Sequence, residues 1–187
     1  MSIRFVAASR RSRPAGAGVL LLAVVLLIVA GAAATAQTLG LAATPARISR
    51  TGVGPVKLGV AFTQLRARGL VGRLRAGCQL AGPQSRSATL SGPLRGVVDF
   101  TMSSSRRVTD ITVARGGVTD RGIGIGATIA QIKRAYPKAV VDHSTDRAFQ
   151  TTFVKVPRSE GGRLQFGVSV RKHRTVLIGI PFIATCD

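Results

Sequence analysis

The fold of this protein is decided by a stretch that occurs twice: residues 56–66 read VKLGVAFTQLR and residues 123–133 read IGIGATIAQIK. At this offset of 67 residues apolar positions fall on apolar positions, Gly59 falls on Gly126, and a glutamine and a basic residue also coincide. Self-similarity at a fixed spacing indicates a repeated structural unit. In both copies apolar residues alternate up to the glycine, which predicts a short extended segment broken just ahead of a helix.

The second copy predicts the clearer helix. The hydroxyl of Thr128 is placed to cap it by accepting a hydrogen bond from an otherwise unpaired backbone N–H. Ile129, Ile132 and Tyr136 recur at helical spacing, and Pro137 ends the pattern. We therefore expect a capped helix that covers the apolar face of a sheet.

The first copy carries a weaker version of the same helix. Phe62 and Leu65 repeat the apolar spacing, and Gly69 supplies a stop. Ala61 takes the place of the capping threonine, so the first helix is expected to be shorter or more frayed.

Segments with strand character follow each helix and are clearest in the second half. There they cover residues 139–141, 149–156, 164–170 and 176–183. Phe166 and Val168 alternate with polar or small residues. This alternation is typical of an antiparallel strand with one face on a core and the other in water.

These patterns predict an α+β fold of two tandem units, each made of a short strand, a helix and an antiparallel β-meander. The first unit spans residues 51–116 and the second spans residues 117–187, and the two form one compact domain. Residues 37–50 are small and polar and include Pro45. We expect them to form a flexible tether rather than part of the fold.

The repeated arrangement of alternating apolar residues, glycine, helix and meander covers the chain from Gly54 to Phe182. It resembles the tandem units of the β-lactamase inhibitory proteins. It is also similar to the small lipoproteins of the outer-membrane barrel-assembly machinery, which carry one such unit. The resemblance implies a domain that presents a sheet or loop surface to a protein partner. With one tyrosine and no tryptophan, the chain departs from the aromatic-rich surface of those inhibitors.

The N-terminus is typical of an export signal. Four arginines and no acidic residue stand in the first thirteen positions, and residues 19–30 read VLLLAVVLLIVA without a polar side chain. Ala34 and Ala36 then fit the small-x-small pattern of signal peptidase sites, which predicts cleavage before Gln37. We therefore interpret residues 1–36 as a signal peptide.

An uncleaved signal anchor is the alternative. With its flanking small residues the apolar run extends over residues 16–36, which is long enough to span a bilayer. The arginine cluster would then stay in the cytoplasm by the positive-inside rule, and the domain would still lie outside. Both interpretations predict a secreted or extracytoplasmic protein that touches the membrane only through its N-terminal segment.

The chain is strongly basic and contains two cysteines. Its 187 residues include 27 Lys or Arg and seven Asp or Glu, for a formal net charge of +20. In an oxidising compartment Cys78 and Cys186 allow a single intramolecular connectivity, and we predict that disulfide. Two separate buried thiols are the alternative. Closing so long a loop is worth about 4–5 kcal/mol in the chain-entropy model.

Residues that carry catalysis or hold a cofactor are sparse. The two histidines, His143 and His173, stand in polar stretches that read as a loop and a hairpin turn. His143 stands between Asp142 and Ser144, but we expect that adjacent residues of a loop do not converge on one catalytic site, and no metal-ligand spacing occurs. The run from Gly122 to Gly126 departs from the dinucleotide fingerprint because its third glycine comes one residue early. We expect no catalytic residue, no metal and no cofactor.

Basic side chains cluster at the two predicted hairpin turns. They are Arg106 and Arg107 at the first turn and Arg171, Lys172 and Arg174 at the second. Such tips attract polyanions, and for an exported protein without stacking aromatics anionic envelope polymers or lipid headgroups are favoured over nucleic acid. A merely solvated surface is the alternative, since arginine outnumbers lysine 22 to 5 along the whole chain.

These features favour an exported protein that binds without catalysing. The first hypothesis is a non-catalytic binding or assembly module of the cell envelope, which contacts a protein partner or an anionic polymer. The second is a secreted inhibitor of an extracellular enzyme. The third is a small cell-wall hydrolase.

Overall fold

The computed structural model describes residues 45–160 and 163–185. The predicted signal peptide or anchor with its cleavage site, most of the predicted tether, and Cys186 lie outside the described residues. Within the described part of the chain, no helix is long and apolar enough to cross a membrane.

The described residues form twelve strands and three α-helices. The strands are β1 (Ala46–Ser49), β2 (Gly52–Val53), β3 (Val56–Lys57), β4 (Arg75–Ala76), β5 (Arg86–Thr89), β6 (Arg95–Phe100), β7 (Val108–Arg115), β8 (Gly117–Thr119), β9 (Val140–Asp142), β10 (Thr151–Val156), β11 (Leu164–Ser169) and β12 (Thr175–Ile180). The helices are α1 (Phe62–Ala67), α2 (Ile129–Ala135) and α3 (Asp146–Phe149).

Two sheets organise these elements. The large sheet has eight strands in the order β4-β5-β6-β7-β12-β11-β10-β9, and all of its pairs are antiparallel. The small sheet has the order β3-β2-β1-β8, with β1 and β8 parallel. The predicted α+β class is therefore confirmed, with much more sheet than helix.

The two central strands of the large sheet, β7 and β12, pair residues that are related by the repeat offset of 67. The β7 and β12 pairs are Thr112 with Gly179, Ile111 with Ile180 and Val113 with Ile178. Thr112 thus pairs with the residue 67 positions later in the chain. Because the strands are antiparallel, Ile111 pairs with the residue after Gly179 and Val113 pairs with the residue before it. The meanders β4 to β7 and β9 to β12 run outwards from this central pair in the same order.

Backbone hydrogen bonds ahead of the two helices also match at an offset of 67. The N–H of Gly59 donates to the carbonyl of Val108 at 2.8 Å, and the N–H of Gly126 donates to the carbonyl of Thr175 at 2.8 Å. Each bond ties the turn before a helix to the first residue of a strand. The strand ladders also shift register between Asp99 and Phe100 and between Gly167 and Val168, one residue away from this offset.

The hydrophobic core lies between the large sheet and a layer made of α1, α2 and the small sheet. Leu65 of α1 and Ile132 of α2 are almost completely buried in it. Phe62 meets Phe100 edge to face, with ring centroids 5.4 Å apart. Each fully buried side chain of this size is worth about 1.5–3 kcal/mol. This burial holds the helices on one face of the sheet, and the described residues form one compact unit.

The helix predictions are confirmed. The Thr128 hydroxyl accepts a hydrogen bond from the Gln131 N–H at 3.2 Å, and Oε1 of Gln131 accepts one from the Thr128 N–H at 2.9 Å. The α2 helix ends ahead of Pro137. The α1 helix lacks a side-chain cap at Ala61 and is one residue shorter. Gly69 follows it with a φ of +66°, the left-handed conformation that closes a helix.

The tether prediction is wrong for residues 46–49. They form β1, which pairs antiparallel with β2 and parallel with β8, and Ile48 is completely buried. In so short a strand only one large apolar side chain enters the core, so the sequence signal is a single isoleucine among small and polar residues. The folded domain therefore begins earlier than residue 51.

Two strand boundaries also differ from the sequence-based expectation. The strand predicted over residues 149–156 begins at Thr151, because α3 and the left-handed Gln150 precede it. The strand predicted over residues 176–183 ends ahead of Pro181. Proline has no N–H to donate to a strand ladder, so the pairing stops there.

Candidate functional site

The face of the large sheet that points away from the core is here called the open face. Side chains alternate along a strand, so where Val98 and Phe166 enter the core, their neighbours Val97 and Gln165 point to the open face. Phe153 is buried without belonging to the core cluster. Apolar packing therefore exists on this second side of the sheet as well.

Residues 181–185 cross the open face after the end of β12, and we call this segment the strap. The N–H of Ile183 donates to Oε1 of Gln165 at 2.9 Å. A Cβ atom at Gly179 would lie 2.3 Å from the carbonyl carbon of Phe182, far inside van der Waals contact. The strap can therefore lie this close to β12 because position 179 has no side chain.

The expectation that one side of β11 faces water is therefore wrong. Gln165 is only 7% exposed, and Gly167 is buried as well. A Cβ atom at Gly167 would lie 3.1 Å from Cδ1 of Ile183 in the strap. The alternation of apolar and polar residues along β11 correctly predicts which side chains share a face. It does not reveal that the strap, a segment distant in sequence, covers the face of Gln165 and Gly167.

The strap separates two grooves on the open face. The first groove is a cavity of about 550 Å³ between the strap and the first half of the large sheet. Its walls include the exposed side chains of Leu80 and Met102 and the carboxylates of Asp99 and Asp110. Apolar rims around a small polar centre are the usual composition of a recognition site.

Cys78 also lines the first groove. Its Sγ atom lies 3.8 Å from the carbonyl oxygen of Thr185, the last described residue of the strap. The next residue in the chain is Cys186, which lies outside the described residues. The Cys78–Cys186 disulfide therefore stays a prediction, which this contact supports.

Asp99 and Asp110 form an acidic pair that the sequence analysis did not single out. They stand directly opposite each other on β6 and β7. Burial, and then the charge of Asp110, raise the pKa of Asp99 to about 6, and burial also raises the pKa of Asp110. Oδ2 of Asp99 is buried without a hydrogen-bond partner among the described residues. The available sequence signal was an acid in each of two adjoining apolar strands, in a chain with only seven acids.

We predict that Asp99→Asn stabilises the protein at pH 7 by about 1–2 kcal/mol, after allowance for screening by the solvent that reaches this side chain. The raised pKa means that folding favours the protonated form. The contribution of protonated Asp99 to the free energy of unfolding is fully present below about pH 4, and it is lost as the pH rises through 6 and Asp99 ionises. Urea unfolding between pH 4.5 and 7.5 measures this. An equally steep pH dependence in the wild-type protein and the variant would contradict the prediction.

The second groove lies on the other side of the strap. It is a cavity of about 490 Å³ whose walls include Phe153, Phe182, Lys155 and Asp142. Nζ of Lys155 donates to Oδ2 of Asp142 at 2.6 Å, and this hydrogen bond holds the pKa of Asp142 well below its usual range. The second groove therefore holds an ion pair and one further basic residue, Arg163, whereas the first carries two carboxylates.

The two histidines occupy the loop and the hairpin turn that the sequence predicted. Nδ1 of the exposed His143 lies 2.8 Å from Oδ2 of Asp146, and this hydrogen bond lowers the pKa of Asp146. His173 lies in the β11–β12 hairpin with a φ of +52°. Among residues 45–160 and 163–185, no three His, Cys, Asp or Glu side chains come together as metal ligands.

The exposed large hydrophobic side chains concentrate on the open face and its rim. They are Leu80, Val97, Met102, Val140 and Phe182. Leu80 and Met102 border the first groove and Phe182 borders the second. Val97 shares the face of Asp99 on β6, and Val140 stands opposite Lys155 across β9 and β10. Exposed apolar side chains that gather on one face of a folded domain are a common feature of interaction surfaces.

The basic hairpin tips are not brought together. The β7 and β12 strands are antiparallel, so the hairpins that lead into them point to opposite ends of the sheet. Arg106 and Arg107 stand at one tip, and Arg171, Lys172 and Arg174 stand at the other. The Arg107 guanidinium donates to the Gly59 carbonyl at 2.9 Å, and the Arg174 guanidinium donates to the Gly126 carbonyl at 3.3 Å. These two arginines fasten each hairpin to the turn ahead of a helix.

Comparison with protein-family models, with curated proteins and with solved structures finds no match for this chain. The resemblance to the β-lactamase inhibitory proteins therefore stays an expectation. The open face, with its strap and its two grooves, is the strongest guide to function.

Proposed function

We propose that the protein is an exported, non-catalytic binding module of the cell envelope that holds a protein partner on the open face. The observation that carries the proposal is the gathering of the exposed large hydrophobic side chains of the described residues on this one face. The basic and then apolar N-terminal sequence supports export. An apolar surface that faces water is unfavourable unless a partner covers it.

The strap indicates what kind of partner fits. It is a segment without regular secondary structure in which the Ile183 N–H donates to Gln165 and the Ile183 side chain packs on Gly167. The open face thus already accommodates a peptide of this chain. Two grooves of similar volume flank the strap, so loops or extended segments of a protein partner can lie on either side of it.

We also infer that the domain consists of two tandem units, residues 51–116 and residues 117–187, each with a helix followed by a meander. The symmetric pairing of Thr112 with Gly179 supports this inference, as do the matching hydrogen bonds of Gly59 and Gly126. On this basis we retain the likeness to the β-lactamase inhibitory proteins as a proposal about the fold. It agrees with a protein partner on a wide sheet surface.

A photoreactive amino acid placed at single positions of the full-length protein tests the proposal in its own envelope. Leu80 and Val97 report on the open face, and the exposed Thr63 on α1 is the control on the opposite side. We expect the same partner protein to be captured from both open-face positions and not from position 63. Equal capture from all three positions would contradict the proposal.

A matched pair of double variants sharpens the test. Leu80→Asp with Met102→Asp should reduce capture from position 97 at least tenfold, because charge on the rim prevents apolar contact. Thr63→Asp with Gln64→Asp adds the same charge to the first turn of α1, where the helix dipole favours it, and should leave capture unchanged. Undiminished capture by the first pair would exclude the open face. If the partner is a secreted enzyme whose activity falls on binding, the module acts as an inhibitor.

A further inference from the structure

We propose that a second site, separate from the open face, binds a phosphoryl group. It is a cavity of about 590 Å³ between β8, the turn at residues 122–126 and α2. Its charged lining residues are Arg121, Arg134 and Arg174, and no acidic side chain lines it. We call this cavity the arginine groove.

Two of the three guanidinium groups are held in place on its walls. The Arg121 guanidinium donates to the carbonyl oxygen of Ala135 and lies 4.8 Å from the centre of the Tyr136 ring. The Arg174 guanidinium donates to the carbonyl oxygen of Gly126 at 3.3 Å. Side chains that are already fixed lose less conformational entropy when a ligand arrives, so binding is stronger for the same contacts.

The third guanidinium, that of Arg134, is exposed on α2 and pairs with no acid among the described residues. The nearest acid in sequence to the groove is Asp120, which lies 3.7 Å from Arg47 of β1 and does not line the cavity. Three positive groups therefore surround one cavity without a compensating charge. Their mutual repulsion is relieved by an anion.

The number of donors favours phosphate over carboxylate. Each guanidinium presents several N–H donors in a planar fork, which fits the oxygens of phosphate or carboxylate. A carboxylate offers two oxygens and one charge, whereas a phosphate monoester offers three terminal oxygens and nearly two charges. Three guanidinium groups around one cavity can thus all be satisfied by a single phosphoryl group.

The glycine run that lines this groove does not act as a dinucleotide loop. The strand before it, β8, belongs to the small sheet, and the strand after α2, β9, belongs to the large sheet. The parallel strand-helix-strand unit that defines such a loop is therefore not formed by these elements. In the arginine groove the anion is held by side chains.

The first half of the chain offers an internal comparison. At an offset of 67 residues Arg174 corresponds to Arg107, but Arg134 corresponds to Ala67 and Arg121 corresponds to Gly54. The first half therefore has one guanidinium group at the three positions where the second half has three. The arginine groove is therefore specific to the second half and does not follow from the general excess of arginine.

Titration of the folded protein with inorganic phosphate and with glycerol 1-phosphate at low ionic strength tests the proposal by calorimetry. Arg134→Ala gives position 134 the residue found at position 67, and we expect it to weaken binding about tenfold, as loss of a charge-assisted hydrogen bond should. Arg68→Ala removes the same charge from an exposed position at the end of α1. It should change the affinity less than twofold.

Vesicles distinguish the sources of the phosphoryl group. Binding to vesicles that contain phosphatidic acid, whose headgroup is a phosphate monoester, would assign a lipid headgroup if it is absent with phosphatidylcholine alone and weakened by Arg134→Ala but not by Arg68→Ala. Arg134-dependent binding of the soluble probes alone would assign a soluble phosphorylated ligand. Equal losses in the two variants would reveal diffuse attraction and overturn the proposal, as would the absence of binding to every probe. Open-face capture is measured separately, so either proposal can fail alone.

Discussion

Replacing Cys78 with serine is expected to lower the free energy of unfolding by about 4–5 kcal/mol. A disulfide to Cys186 closes a loop of 108 residues, and the chain-entropy model assigns that much stabilisation to so long a loop. The position of Cys78 Sγ, 3.8 Å from the carbonyl oxygen of the residue before Cys186, supports this pairing. For a domain of this size the expected loss is a large fraction of its total stability.

Urea unfolding of the exported protein with and without reductant measures this loss. The wild-type protein should lose stability on reduction, and the Cys78→Ser variant should be insensitive to reductant. The double variant Cys78→Ser with Cys186→Ser should match the single variant. If thiol titration of the denatured, unreduced wild-type protein finds two free thiols, the disulfide is absent and the alternative of two separate thiols is correct.

The parts of the fold that the sequence predicts well are those whose signal is local. The capped helix at Thr128 needs only a hydroxyl, a glutamine three residues later and an apolar stripe, and all of these are contiguous. The hairpins between β6 and β7 and between β11 and β12 likewise need a polar turn between two apolar runs. The repeat reinforces each signal, because a pattern that occurs twice is less often accidental.

The parts that the sequence does not predict depend on contacts between distant segments. β1 is a strand because β2 and β8 lie on its two sides, and its own residues carry little strand signal. The strap lies on β11 and β12 because Gly167 and Gly179 leave room for it, and a glycine in a strand does not reveal what will approach it. The pKa of Asp99 is raised because the fold buries this side chain and places Asp110 opposite it.

The distribution of charge separates the two proposed sites. Asp99, Asp110 and Asp142 account for three of the seven acidic residues in the chain, and all of them line the grooves of the open face. The arginine groove has no acid in its lining. Together the linings of the two open-face grooves hold these three acids against two basic residues, Lys155 and Arg163. The open face suits a partner recognised by apolar contact, and the arginine groove suits an anion.

The substitution Gly179→Val is expected to displace the strap and to lower the free energy of unfolding by about 1–3 kcal/mol, as overpacking of a filled site does. The added Cβ would lie 2.3 Å from the carbonyl carbon of Phe182 and 2.5 Å from the backbone nitrogen of Ile183. These are backbone atoms, so a change of side-chain rotamer in the strap cannot relieve the contact. The strap must move away from β12, and the hydrogen bond from the Ile183 N–H to Gln165 should break.

Thr112→Val is the matched control, because Thr112 stands directly opposite Gly179 in the central strand pair. Its hydroxyl is buried without a hydrogen-bond partner among the described residues, so replacing it with a methyl group should be neutral or slightly stabilising. Amide hydrogen exchange at Ile183 reports the state of the strap. Exchange at this amide should be at least tenfold faster in Gly179→Val than in Thr112→Val. Slow exchange at Ile183 in both variants, with unchanged stability, would mean that the strap is not held by its close approach to β12.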